Sequence, residues 1–291
     1  MPPAGNPRIS GAQINAAPKA LVMGIINVTP DSFSGDGVST DAAVAQALQM
    51  LTDGADMIDI GGESTRPGHA PVTTAEEIRR TIPVISALRA ASPVPISIDT
   101  TKAAVAAAAL NVGADVINDV SALQRDPEMA GVVAAHGALV ILMHNRSAPQ
   151  HVTQTETFGA SYAAPDYKNF LAEIQQDLHI SIDRAEAAGI KRAQIILDPG
   201  LGFGKTVAQN LLLIGHCKEL VALGYPVLLG PSRKSFLGQT LNLPVTERDE
   251  ATLAACIIGL QQGAKIFRVH NVRATRRALD MATAIISALF V

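Results

Sequence analysis

The chain has 291 residues, 48% of them hydrophobic and 17% charged, with a formal net charge of −3 at pH 7. That length holds one large α/β barrel or two smaller domains, with ample material for a buried core. The near-neutral balance argues against nucleic acid or an anionic membrane surface as the main partner, so an anionic substrate has to be met by a local cluster of basic residues.

Residues 1–19 are rich in Pro, Ala and Asn and are expected to form a loose N-terminal segment, on the surface or capping one end. They show no basic-then-apolar leader pattern, and no apolar run in the chain reaches membrane-spanning length, so the expected location is the cytoplasm. After Lys19 a unit repeats: a short apolar run ending in a polar residue, a loop, then an Ala-rich helical stretch that stops at glycine. The runs are Leu21 to Ile26, Met57 to Ile60, Ile96 to Ile98, Val116 to Ile117, Ala138 to Met143, Ile195 to Leu197, Pro226 to Leu229 and Ile266 to Val269. Glycines 54, 113, 137 and 263 each sit just before a run, where a left-handed helix stop is expected.

Near-continuous apolar strands alternating with helices imply a parallel sheet covered on its outer face. Eight such units in roughly 250 residues match a (β/α)8 TIM barrel, so the expected class is α/β, with one barrel domain over residues 20–291. The runner-up is a doubly wound open sheet, which usually has fewer strands and a clear nucleotide loop. The longest connection, Asn145 to Asp166, is expected to be a flexible loop at the barrel mouth. Cys217 and Cys256 fall in separate helical segments and read as buried thiols rather than a disulfide.

In such a barrel the chemistry sits at the carboxyl ends of the strands. Collected in order, those ends are Asn27, Asp59, Asp99, Asn118, His144, Asp198, Ser232 with Lys234, and Arg268 with His270. One polar residue stepping into solvent is unremarkable; a full ring of them is not, because half-buried polar groups cost free energy unless paired. Asp99, Asn118 and Asp198 suit the donor-rich edge of a flat heterocycle, and Lys234 suits its carbonyl and ring nitrogen. Arg66, Arg268 and His270 suit phosphate oxygens, and Asn27 is a hard oxygen ligand for magnesium. The run Asp198-Pro-Gly-Leu-Gly-Phe-Gly-Lys205 is neither nucleotide loop: the first glycine of a P-loop is replaced by Pro199, and the dinucleotide spacing is wrong. Residues 29–37 and 61–68, after the first two strands, have the Gly, Pro and hydroxyl content of loops that close over a substrate.

Seven stretches together resemble the dihydropteroate synthase family: Asn27-Val-Thr-Pro-Asp-Ser-Phe-Ser34, Gly61-Gly-Glu-Ser-Thr-Arg-Pro-Gly68, Ile98-Asp-Thr100, Ile117-Asn-Asp-Val-Ser121, Asp198 to Lys205, Ser232-Arg-Lys-Ser235 and Arg268-Val-His270. The resemblance implies a barrel that joins 4-aminobenzoate to 6-hydroxymethyl-7,8-dihydropterin pyrophosphate. Carried over by position, it places Asp99, Asn118, Met143, Asp198, Lys234 and Arg268 around the pterin. It gives Asn27, Thr65, Arg66, Arg268 and His270 to the diphosphate, with Mg2+ on Asn27. It gives Thr65, Pro67, Phe203, Lys234 and Ser235 to the aminobenzoate, where sulfonamides compete in this family. Asp99, Lys234, Arg268 and His270 are the implied catalytic residues, and a homodimer through the last two helices is the implied assembly. Rival expectations are a pterin-dependent methyltransferase, an inactive pterin-binding paralogue, and a Schiff-base aldolase using Lys102 or Lys205. Both of those lysines read as solvated or anion-facing, which weakens the last.

Overall fold

A computed structural model describes residues 9–29, 39–64, 71–147, 152–155 and 158–288. Its strands are β1 Leu21–Asn27, β2 Met57–Gly61, β3 Ile96–Asp99, β4 Val116–Asp119, β5 Leu139–Met143, β6 Val152–Thr155, β7 Gly159–Tyr162, β8 Ile195–Asp198, β9 Leu228–Leu229 and β10 Ile266–Val269. Its α-helices are α1 Gly11–Ala16, α2 Thr40–Thr52, α3 Thr74–Ala91, α4 Ala103–Asn111, α5 Met129–His136, α6 Phe170–Ala187, α7 Val207–Gly215, α8 Cys217–Val221, α9 Ser235–Leu241, α10 Asp249–Gln261 and α11 Val272–Ala288.

All strands except β6 and β7 pair in parallel in the order β8-β5-β4-β3-β2-β1-β10-β9. A parallel bridge between Leu197 and Val227, with the Leu197 amide donating to Pro226 O at 2.9 Å, joins the two ends and closes the cylinder. The (β/α)8 barrel expected from the repeat is therefore what forms. The helix stops behave as the repeat requires: Gly54 and Gly113 have φ of +101° and +110°, and a Cβ at either would lie within 3 Å of an arginine side chain. Cys217 and Cys256 are buried free thiols. Among the described residues no helix is long and apolar enough to cross a membrane.

Strand alternation divides the core in two. Ile58, Ile60, Ile98, Ile117, Val140, Leu142, Leu197 and Phe267 point outward and pack under the helices. Leu21, Met23, Met57, Val116, Leu139, Ile141, Ile196, Leu228 and Ile266 point inward and fill the lower half of the barrel. Further along most of the strands the inward position turns polar, and those positions build the candidate site.

Two expectations need correction. Residues 9–19 are not loose: Ser10 and Gln13 form a reciprocal capping box, with Ser10 N donating to Gln13 Oε1 at 2.8 Å, and α1 follows. Its Ile14 is fully buried in the inner core and plugs the lower end of the barrel. The connection after β5 is not structureless either, because β6 and β7 pair as an antiparallel hairpin from Val152↔Tyr162 to Thr155↔Gly159. If α1 is a plug, Ile14→Ala should lower unfolding free energy by roughly 2–4 kcal/mol in urea titrations while leaving substrate affinity unchanged.

Candidate active site

Register brings the polar ends to one level. Asn27 is paired with Gly61, Gly61 with Asp99, and Asp99 with Asn118, while Met143 is paired with Asp198 across β5 and β8. Gly61 leaves the mouth open between its neighbours: a Cβ there would lie 3.5 Å from Asp99 Cβ and 3.8 Å from Asn27 Oδ1.

Arg268 crosses this mouth. Its Nε donates to Asp59 Oδ2 at 2.6 Å and its Nη2 to Asp99 Oδ2 at 2.9 Å, while Asn118 Nδ2 donates to Asp59 Oδ2 at 3.2 Å. Asp59 is fully buried, and the second oxygens of Asp59 and Asp99 are buried with no partner. Burial pushes the Asp99 carboxyl up to about 7, against the pull of Arg268 and helped by Asp59. Charged Asp59 and Asp99 outweigh burial at Arg268 and hold its guanidinium above the usual arginine range. Asp59, a strand end to which the sequence assigned no task, is thus the anchor that orients Arg268. The signal was available, since Met57, Asp59 and Gly61 share the inward face of β2.

The opposite wall is the loop after β8. Asp198 is buried and accepts from the Gly200 amide at 2.7 Å; burial raises its carboxyl while Lys234 opposes. Gly200 has φ of +68°, and a Cβ there would lie 1.9 Å from the His144 carbonyl oxygen, so only glycine fits. Met143 packs against the same turn, its Cγ 3.2 Å from that position.

Lys234 Nζ donates to Leu201 O and sits 4.9 Å from the Phe203 ring centroid. Burial lowers its ammonium to about 8, with Asp198 and Asp99 raising it and Arg268 lowering it. Asp99, Asp198, Arg268 and Lys234 therefore lie close enough to act on one another electrostatically at the carboxyl end of the barrel. Arg233 has φ of +56°, and its guanidinium holds Asp249 through Nε at 2.7 Å and Nη2 at 3.1 Å. That clamp on α10 fixes the bend from which Ser232, Lys234 and Ser235 project. Ser232 Oγ accepts the His270 amide at 3.1 Å and lies within hydrogen-bond distance of His270 Nδ1 at 2.9 Å, so one hydroxyl fixes both the backbone and the ring of His270.

Three expected contributors, Thr65, Arg66 and Pro67, lie outside the described residues, as do most of the two glycine-rich loops after β1 and β2. One lysine reading is corrected. Lys205 is buried, not solvated: its Nζ donates to Gly200 O and Phe203 O, both at 2.9 Å, and to His144 Nδ1 at 3.0 Å. It staples the two ends of the Gly200–Phe203 turn. His144, expected in the ring, instead turns outward and donates from Nε2 to Asp177 Oδ2 on α6 at 3.0 Å. Lys102 is anion-facing as expected, ion-paired with Glu63 and with Glu77 at 2.5 Å.

Asn27 Oδ1 at this mouth is a hard donor with Asp99 nearby, a set suited to a cation that keeps its waters and takes phosphate oxygens. Among the described residues no group of three or more His, Cys, Asp or Glu side chains forms a complete metal cage.

A family model described as pterin binding enzyme matches residues 23–270. A dihydropteroate synthase of Clostridium beijerinckii is 44% identical over 282 residues, 96% of this chain and 99% of the relative. A crystal structure of the Clostridium difficile dihydropteroate synthase in the presence of pteroic acid superimposes with a TM-score of 0.84 at 43% identity, covering 92% of this chain and 97% of that one. The Xanthomonas albilineans enzyme with 4-aminobenzoic acid gives 0.84 at 42% identity, covering 92% and 93%.

The Asp99 carboxyl carries a pH signature. Its folded value of about 7 lies above the ordinary 3.8, so between roughly pH 4 and 7 the native chain keeps a proton the unfolded chain has lost. Stability from this group is therefore full below pH 4 and declines as pH rises to 7. Thermal melts of the ligand-free protein across that window should show a decline that Asp99→Asn flattens.

Proposed function

This chain belongs to the dihydropteroate synthase family of pterin-binding enzymes, and from that premise we propose how its own residues divide the work. The reaction condenses 6-hydroxymethyl-7,8-dihydropterin pyrophosphate with 4-aminobenzoate, giving 7,8-dihydropteroate and pyrophosphate in folate biosynthesis. It is a transferase reaction, and high identity over nearly the whole chain to relatives that carry the synthase name decides against the methyltransferase alternative. Burial lowers the Lys205 ammonium to about 7, as a Schiff-base lysine needs, but its Nζ is tied to Gly200 O, Phe203 O and His144 Nδ1. Lys102 is ion-paired, so the synthase relatives rather than burial decide against an aldolase.

The observation that carries the assignment of roles is the unpaired, buried Asp99 Oδ1 inside a ring completed by Asn118, Asp198 and Lys234. A carboxylate oxygen left without a donor in the protein is paired by a ligand that brings one. A pterin presents amino and ring N–H donors on one edge and a carbonyl on another, which match Asp99, Asn118 and Asp198 on one side and Lys234 on the other. Met143 packs on the ring, and Arg268, fixed by Asp59, lies at its edge.

The bond to break joins a methylene carbon to a diphosphate oxygen. The electron-rich pterin supports positive charge on that carbon, so departure of pyrophosphate precedes attack. Arg66, Arg268 and His270, with Thr65 and Asn27, hold the diphosphate, and Asp99 stabilises the cationic pterin. Asn27 would hold Mg2+, which would supply further neutralisation of the leaving charge. The neutral amine of 4-aminobenzoate, held by Thr65, Pro67, Phe203, Lys234 and Ser235, then attacks the methylene and loses a proton. No side-chain nucleophile takes part.

Two wider readings accompany this one. A homodimer through α10 and α11 is supported by the exposed Ile258, Met281 and Ile285 on those helices. A cytoplasmic location is supported by the two free thiols, and sulfonamide sensitivity by the arylamine pocket itself.

Pyrophosphate release from the pterin diphosphate, measured with and without 4-aminobenzoate and Mg2+, should require both additions for full rate; absence of release would exclude the reaction. Asp99→Asn should lower kcat much more than it weakens pterin binding, by roughly 100-fold or more. Lys234→Ala should weaken pterin and aminobenzoate binding together in calorimetric titrations, and loss of neither would remove it from the site.

A further inference from the structure

We propose that Tyr162, on the β6–β7 hairpin, is a positioning residue for the arylamine pocket, backing the Phe203 ring against which 4-aminobenzoate packs. The inference rests on the pocket reading given above and adds to it a segment that no site motif contains.

The Tyr162 and Phe203 rings are stacked, with centroids 5.9 Å apart and planes inclined by 26°. The same Phe203 ring carries Lys234 Nζ 4.9 Å from its centroid. Phe203 itself stands on a glycine-flanked loop, with Gly202 and Gly204 both in the left-handed region, so its own neighbours along the chain offer no side chain to hold it. Its backbone is fixed by Lys205, but its ring is fixed by what it stacks on. A hollow of about 160 Å³ is lined by Tyr162, Gly202 and Ser235, so Tyr162 borders both the Phe203 ring and the turn that carries it. Stacking on the Tyr162 ring then limits how far the Phe203 ring can tilt.

The hairpin is held to the barrel mouth rather than free. Buried Arg248, at the start of α10, donates from Nη2 to Phe158 O at 3.4 Å at the hairpin turn, and from Nη1 to Arg233 O at 3.1 Å. One guanidinium thus joins the hairpin to the bend that carries Lys234 and Ser235. A two-stranded hairpin gains little stability alone, so its docking here gives it a defined place without making the barrel depend on it.

Steady-state kinetics on the full chain tests this. Tyr162→Ala should raise KM for 4-aminobenzoate by roughly 3- to 10-fold, the worth of an aromatic pair, with KM for the pterin diphosphate and Tm unchanged. Tyr162→Phe, which keeps the ring, should restore the wild-type KM. An unchanged aminobenzoate KM in Tyr162→Ala, or an equal rise for both substrates, would overturn the inference. Lys234→Ala in the same assay separates the two levels. If it weakens both substrates while Tyr162→Ala is silent, only the role of Tyr162 fails. If Lys234→Ala is silent as well, the pocket assignment fails with it.

Discussion

The arrangement depends on one guanidinium held between two carboxylates inside a closed barrel. Asp59 is wholly buried and Asp99 nearly so, and Arg268 is the cation that both carboxyl groups meet. The pairing is incomplete by design of the chain, because each carboxylate spends one oxygen on Arg268 or Asn118 and keeps the other unpaired. Such an arrangement stabilises poorly and would be replaced by apolar packing if stability alone mattered. It lies at the carboxyl end of the barrel, directly above an inner core that is mainly apolar, with buried Ser97 as a polar exception.

Closure of the cylinder is what turns eight local sequence events into one site. Most strands contribute an inward polar residue near the carboxyl end, namely Asn27, Asp59, Asp99, Asn118, Asp198 and Arg268, while β5 contributes Met143. Asn27, Asp99 and Asn118 come level because parallel register links β1 to β4 through Gly61, and Met143 meets Asp198 by the same rule. The period-two signal is masked lower in the strands, where both faces are apolar, and appears only where the inner face turns polar. This is why the strand ends, read as a ring, located the site while no single strand did.

Other features were not legible in that way, for identifiable reasons. Lys205 follows a run of glycines and looks solvent-facing by composition; it is buried because its side chain folds back to the carbonyls of its own loop. That return depends on three-dimensional turn geometry, fixed by Gly200 passing under the His144 carbonyl. His144 left the ring for the same cause: Lys205 fills its Nδ1 side, and Asp177, distant in sequence, draws Nε2 outward. The plug α1 was hidden by a Pro- and Ala-rich context, although Ser10 and Gln13 carry the capping-box spacing. The β6–β7 hairpin has short, polar strands without a hydrophobic face, so alternation gives no signal there.

Charge at the mouth also explains how one site can treat its two proposed substrates differently. Around the proposed pterin position stand Asp59, Asp99 and Asp198 against Arg268 and Lys234, all poorly solvated, with burial raising Asp99 and Asp198 and lowering Lys234. A neutral heterocycle that brings its own donors satisfies those carboxylates without importing charge, and it excludes the water that screened them. Each carboxylate then acts through a lower effective dielectric, so cationic character that develops on the bound pterin is stabilised more strongly than the resting ligand. The arylamine wall, by contrast, is made of the Phe203 ring, the Lys234 ammonium and the turn that Lys205 staples. It offers shape and a cation for a carboxylate but no anion for the amine, which leaves the amine neutral and nucleophilic where it meets the methylene.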